Sequence, residues 1–237
     1  MKLKLSLAAL LLASAMPVAA NAAVSANLST SYTNVSGSGG DIWNIDGALG
    51  DSFGNWGAEV TGGYHSSGGS SGNAGGAIYY AGTSYRIAIS GNYLDLGGLH
   101  LANYGVGGEW YASSQFTVAL RGGGVSGSGS SSGGYGGGDV KFYVTPDLAL
   151  SAGGDYIDIS GTGISSEDIR AEWLISQSFP VSVFGGYSHV DAGSSADVFF
   201  VGVKIYLNEP GGGALVDRQR GGNLGYIDGM PYLGKVL

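Results

Sequence analysis

Along most of this chain apolar and polar residues alternate one by one, and the charges keep to one parity. In "NWGAEVTGGYH" Trp56, Ala58, Val60 and Tyr64 share one side, with Glu59 and Thr61 on the other. In "DIRAEWLI" Ile169, Ala171, Trp173 and Ile175 oppose Asp168, Arg170 and Glu172. In "FFVGVKIYL" Phe199, Val201, Val203, Ile205 and Leu207 oppose Gly202 and Lys204. Successive side chains of a strand point to opposite faces, so a sustained period of two marks half-buried β-strands. The polar parity also takes Asp46, Arg86, Glu109, Arg121, Lys141 and Asp155. One stretch, "GGAIYYAG", reads as a strand with ambiguous phase.

Composition narrows the setting. Glycine makes up 47 of 237 residues, far above the usual ~7%, and no 3.6-residue apolar period is visible. The first residues, "MKLKLSLAALLLASAMPVAANAA", carry Lys2 and Lys4, an apolar run and small residues, the pattern of a secretory signal peptide with cleavage expected after Ala22. No later segment is long and apolar enough for a membrane helix. The net charge is −8 even with both signal lysines, which disfavours nucleic acid, whose phosphates need cations. Without cysteine there is no disulfide framework, thiolate metal site or Cys nucleophile.

Alternation alone suits a soluble sandwich or a membrane barrel. Three features favour the barrel. Connections are expected to alternate: short near "LGDSFG", "GTS", "ASS", "TPD" and "SQSF", long at "SGSGG", "HSSGGSSGNAGG", "VSGSGSSSGGYGG", "SGTGISSE" and "DAGSSA". Aromatics on the apolar face gather at strand ends. Tyr32, Trp43, Tyr64, Tyr93, Tyr156, Tyr187 and Phe199 fall on the long-loop side; Trp56, Trp110, Phe116, Trp173 and Phe179 fall on the short-turn side. Amphipathic rings form such girdles at lipid–water interfaces. Most segments also have the ~9–11 residues that a tilted strand needs to cross the hydrocarbon, where an unpaired sheet edge is not tolerated. The expected fold is all-β, a closed antiparallel transmembrane up-and-down barrel of twelve strands. It would have ten or eight if "GGAIYYAGTSYRIAI" divides otherwise. The expected organisation is a signal peptide over 1–22, a barrel over 23–208 and a flexible periplasmic tail over 209–237.

On this pattern the chain resembles Gram-negative outer-membrane β-barrel proteins of porin-like type over about residues 24–207. Such proteins close with a strand carrying a glycine, a hydrophobic residue three positions on and another two beyond; Gly202, Ile205 and Leu207 fit. The family's final strand commonly ends the chain on an aromatic, whereas here Leu207 fills that place and the chain continues. The resemblance implies insertion by the barrel-assembly machinery, contact with outer-membrane lipid and lipopolysaccharide, and both termini in the periplasm.

The inward parity is mostly Gly, Ala, Ser, Thr and Asn, with nearly balanced charge. Asp46, Glu59, Glu109, Asp155, Asp168 and Glu172 face Arg86, Arg121, Lys141, Arg170 and Lys204. Such a lining suits a channel for small hydrophilic solutes or ions; the alternative is salt bridges stiffening a closed structural or adhesion barrel. "HSS" places His65 and Ser67 on one strand face, a spacing similar to that of outer-membrane lipid hydrolases, but no third catalytic member suggests itself. No catalytic group, cofactor or dedicated metal site is expected. The acids Asp158, Glu167, Asp191 and Asp197 read as solvated loop charge or as divalent-cation ligands bridging lipopolysaccharide. The tail, with Pro210 and repeated glycine, reads as flexible. The alternatives are a segment folded up into the lumen as a plug, or one docking a partner through Arg218 and Arg220.

Overall fold

The computed structural model describes residues 24–37, 40–66, 70–95, 100–128, 131–178, 180–207 and 213–222. The signal segment 1–22, Ser67, Phe179 and Pro210 lie outside the described residues. Twelve antiparallel strands follow one another around a closed barrel. They are β1 (Ser25–Val35), β2 (Gly40–Phe53), β3 (Trp56–Ser66), β4 (Ser70–Ala81), β5 (Tyr85–Asp95), β6 (His100–Trp110), β7 (Phe116–Gly127), β8 (Ser132–Thr145), β9 (Leu148–Ile159), β10 (Thr162–Ser176), β11 (Val181–Asp191) and β12 (Ser195–Leu207). The last strand closes on the first, Ala26 opposite Leu207 through to Val35 opposite Val198. No edge is left unpaired, which is what a bilayer requires.

The alternation sets the faces. Ile45, Val60, Ile89, Val106, Leu120, Ile169 and Val201 are exposed on the outside. Aromatic pairs flank them at both rims. Trp43 packs edge-on against Tyr32 and Phe199 is tilted against Tyr187 at one rim; Trp56 meets Tyr80 and Phe116 meets Phe142 at the other. The ambiguous stretch now has a phase: Tyr79 points in and is buried, and Ile78 is exposed outward. At the closing strand, a side chain on Gly202 would lie 2.5 Å from the Phe184 ring and 2.5 Å from the Thr30 carbonyl oxygen. Only glycine fits between those neighbours.

The expected contrast in loop length is not found. Strands run from 11 residues to 15, and connections are short at both rims, the β9–β10 link being only Ser160 and Gly161. Those two residues have φ of 54° and 83°, the geometry of a two-residue hairpin turn whose twist matches its strands. The glycine- and serine-rich stretches read as loops are the outer ends of strands: "SSGNAGG" belongs to β4 and "SGGYGGG" to β8. Low strand propensity loses here because each segment is paired on both sides.

The tail also departs from the expectation. Leu215–Gly221 forms a helix, α1, packed inside the mouth ringed by the turns β8–β9 and β10–β11. Part of the segment expected to be flexible is therefore folded, because it has a docking surface the periodicity could not reveal. Residues 223–237 lie outside the described residues.

Candidate functional site

The lumen has three layers. Next to the β9–β10 turn, inward side chains from strand ends meet. Val35, Ile42, Val125, Tyr135, Ile157, Ile164, Val190 and Val198 form one buried apolar cluster. This outer closure is part of the wall itself.

The middle layer carries most of the residues picked out by parity. Glu59, Arg86, Glu109, Arg121, Lys141, Asp168 and Glu172 are buried; Asp46, Asp155, Arg170 and Lys204 are half-buried on the same inward parity. Arg121 is held by two carboxylates. It donates Nε and a terminal nitrogen to Asp155 (2.7 and 2.6 Å) and its other terminal nitrogen to Asp139 (2.8 Å). Such bidentate charged pairing fixes a guanidinium strongly. Asp139 was missed in the sequence, although it shares the parity of Lys141. Arg170 donates to Glu172 (2.9 Å) and lies over the Phe184 ring. Lys204 stands opposite Ser29 and Ser182 with its ammonium 4.6 Å from the Tyr206 ring centroid. Along β4 to β6, beyond the Arg86–Glu109 pair, the inward polar groups are neutral: Asn73, Ser90, Asn92 and Asn103.

His65 also faces inward. It is buried, with Nδ1 2.7 Å from Asn44 Oδ1, and the Asn44 amide donates to Ser31 and Thr33. A histidine turned away from lipid and packed in a structural network is placed poorly for lipid hydrolysis.

The inner layer is α1. Leu215, 0 % exposed, packs among Tyr143, Ala149, Leu174 and Tyr206. Burying a leucine contributes roughly 1.5–3 kcal/mol. The register of β8 slips between Tyr143 and Thr145 and that of β10 between Leu174 and Ser176. These bulges stand where the helix docks, and bulges re-aim side chains at barrel rims. The first helical N–H groups lack a side-chain cap of their own. The barrel supplies acceptors instead: the Leu215 amide donates to Asp147 and the Val216 amide to the Pro146 carbonyl. At the other end Arg86, paired with Glu109, donates to the carbonyls of Gln219 and Gly222. A cation there also suits the negative end of the helix dipole.

Gln219 is the hub. Its carbonyl accepts from Lys141 (2.7 Å) and Tyr143 (3.0 Å), and its amide donates to Glu172 (3.1 Å). Glu172 also accepts from Ser182 and Tyr206. Arg220 donates to Thr117 and to the carbonyls of Ser113 and Phe116. Tyr111, in the β6–β7 turn, donates to Glu109 and lines a cavity of about 810 Å³ beside α1 with Thr83, Asp217 and Arg220. Burial, with the Glu109 charge, pushes its hydroxyl well above the ordinary tyrosine range. Charges expected to line a pore thus serve in part as the dock for the helix.

The outer-rim acids are not loop residues. Asp158, Glu167, Asp191 and Asp197 lie in β9 to β12. Asp158 and Asp191 accept from the turn amides of Gly161 and Gly193, and Asp197 is shared by Tyr187 and His189. Among the described residues no three His, Cys, Asp or Glu side chains gather closely enough to hold a metal ion.

No family model matches this chain, and no curated protein does. Solved structures do. The NanC porin aligns with a TM-score of 0.64 at 10% identity, over 76% of this chain and 100% of that one. The KdgM porin in complex with disordered oligogalacturonate aligns with a TM-score of 0.61 at 10% identity, over 76% and 98%. The chain therefore has the fold of these porins, a closed up-and-down barrel that turns its apolar face outward.

Proposed function

We propose that this chain is an outer-membrane channel for passive diffusion of small hydrophilic solutes or ions, closed at its inner mouth by its own C-terminal helix. One observation carries the reading. Along β4 to β6, away from the Arg121 and Arg170 ion pairs, Asn73 Oδ1, Ser90 Oγ, Asn92 Nδ2 and both polar side-chain atoms of Asn103 are enclosed with no hydrogen-bond partner in the protein. Each such group costs about 1–3 kcal/mol unless satisfied, and a hydrated path or a passing polar solute satisfies it. The likeness to two porins supports the reading, as does the oligogalacturonate in the KdgM complex. The inner mouth, the end at which the described chain starts at Val24 and stops at Gly222, is taken to face the periplasm.

A second reading has its own support: with an apolar cluster at one mouth and α1 at the other, the molecule is a closed structural barrel. Conductance across a planar bilayer separates the two. The channel reading expects discrete steps, larger for a chain shortened after Leu207 than for the full chain. Two silent membranes, with both proteins still folded by their heat-dependent gel mobility, would leave the structural barrel.

A further inference from the structure

We propose that the lumen holds a binding site for a small solute carrying a primary ammonium group, built by Asp139, Asp155 and Asp168 around Arg121. Asp139, Gly153 and Asp168 stand in one row across β8, β9 and β10. The middle position has no side chain, and Asp139 Oδ1 occupies its space, 2.7 Å from where a Cβ on Gly153 would be. Asp155 lies likewise over Gly137, where a Cβ would collide with its carboxylate. Two glycines thus let two carboxylates lie flat against the wall and converge on one guanidinium.

Charge then decides what is missing. Arg121 balances one of its two carboxylate partners, and Asp168 adds another acid on the far side of Gly153. Asp168 is 6 % exposed, and its Oδ1 has no hydrogen-bond partner. The nearest cations have other duties: Arg121 is engaged by Asp139 and Asp155, and Arg170 pairs with Glu172. A buried carboxylate oxygen without a donor is costly, so the row suits a mobile cation. Chelation of a metal ion is disfavoured, because the acids do not gather closely enough. An ammonium group suits the place: its three donors can reach both Asp139 Oδ1, which lies over Gly153, and Asp168 Oδ1 on the neighbouring strand. The inference builds on the channel reading and needs of it only that the solute can enter the lumen.

The test uses the full chain in detergent, titrated calorimetrically with putrescine and with 1,4-butanediol, the diol of equal length. Saturable binding of putrescine and none of the diol is expected. Asp168→Asn should weaken putrescine binding by about tenfold or more, the loss of one charged hydrogen bond, while Asp95→Asn on the outer rim leaves it unchanged. Asp168→Asn keeps the shape and removes a like charge, so the barrel should fold; retained heat-dependent gel mobility checks this. Equal heats for diamine and diol, or unchanged binding in Asp168→Asn, would overturn the site. Bilayer recordings of the same proteins keep the two readings apart. Conductance without diamine binding overturns the site alone. Diamine binding in a barrel that never conducts upholds the site and removes the channel.

Discussion

The two mouths of this barrel are closed by opposite means. The outer one is shut by Val125, Ile157, Val198 and their neighbours, all side chains of the wall strands. The inner one is shut by α1, a segment that follows the closing strand in sequence and touches the wall through Leu215 and a set of hydrogen bonds. Apolar contacts of the first kind are part of the barrel's own stability, since separating them returns apolar area to water. Hydrogen bonds of the second kind exchange for bonds to water at a net ~1 kcal/mol each. The inner closure is therefore expected to leave while the barrel stays folded, and the outer one is not. Wall and plug use the same inward parity, and only the chemistry at each level separates their roles.

The strongest way to break this contrast is at Glu172, which belongs to both wall and dock. Glu172→Ala leaves Arg170, Ser182, Tyr206 and Gln219 without their acceptor. Losing one partner of a buried charged pair costs about 3–5 kcal/mol. A lower urea midpoint for unfolding and faster tryptic cleavage after Arg218 should appear together; a change in neither would show that the hub bears no weight. Next comes Ile157→Ala in the outer cluster, where a buried Ile→Ala truncation costs about 2–5 kcal/mol. Here the urea midpoint should fall while cleavage after Arg218 keeps its wild-type rate. The mirror image is Leu215→Ala. Truncating a fully buried leucine in the dock should cost about 2–3 kcal/mol, or roughly 30–150-fold in the docked-to-released ratio. Tryptic cleavage should quicken and bilayer conductance rise, with the urea midpoint of the barrel unmoved. Loss of the barrel in this variant would mean that the helix is part of the fold, not a closure of it.

How far the sequence discloses this division follows from what carries each part. The lipid face is legible because a period of two leaves one row of side chains per strand, and a bilayer tolerates few charges in that row. Strand number is legible for the same reason. Tyr79 and Tyr80 are not separable by pattern: adjacent tyrosines must face opposite ways, and which goes inward depends on Arg86 across the pair, 5.9 Å from the Tyr79 ring. The glycine and serine runs mislead because their strand state comes from two paired neighbours, a non-local cause. Asp139 hides at the end of such a run. The dock is least legible of all. Gln219 meets Lys141, Tyr143 and Glu172, which stand 78, 76 and 47 residues away. No local window contains that information, and a seven-residue helix shows too few turns to declare a face.

The smallest expected effect tests whether the middle layer belongs to a path or only to the dock. Lys204 is the cation inside the closing strand; it is half-buried and stands over Tyr206. Its cross-strand neighbours on either side are Ser29 and Ser182, both small and neutral. Lys204→Glu replaces that charge with its opposite. At partly hydrated positions a charge interaction is worth roughly 0.2–1 kcal/mol, so the cation-to-anion permeability ratio should rise by about 1.4- to fivefold. Reversal potentials across a salt gradient measure this, and raising the salt should shrink the difference as screening shortens. The variant is best recorded beside Leu215→Ala, which frees the inner mouth without touching a charge. If Leu215→Ala conducts and Lys204→Glu leaves the reversal potential where it was, ions pass away from the closing strand. The path then runs past the asparagines of β4 to β6, and the charges that meet α1, Arg86 and Glu109 among them, serve the helix alone.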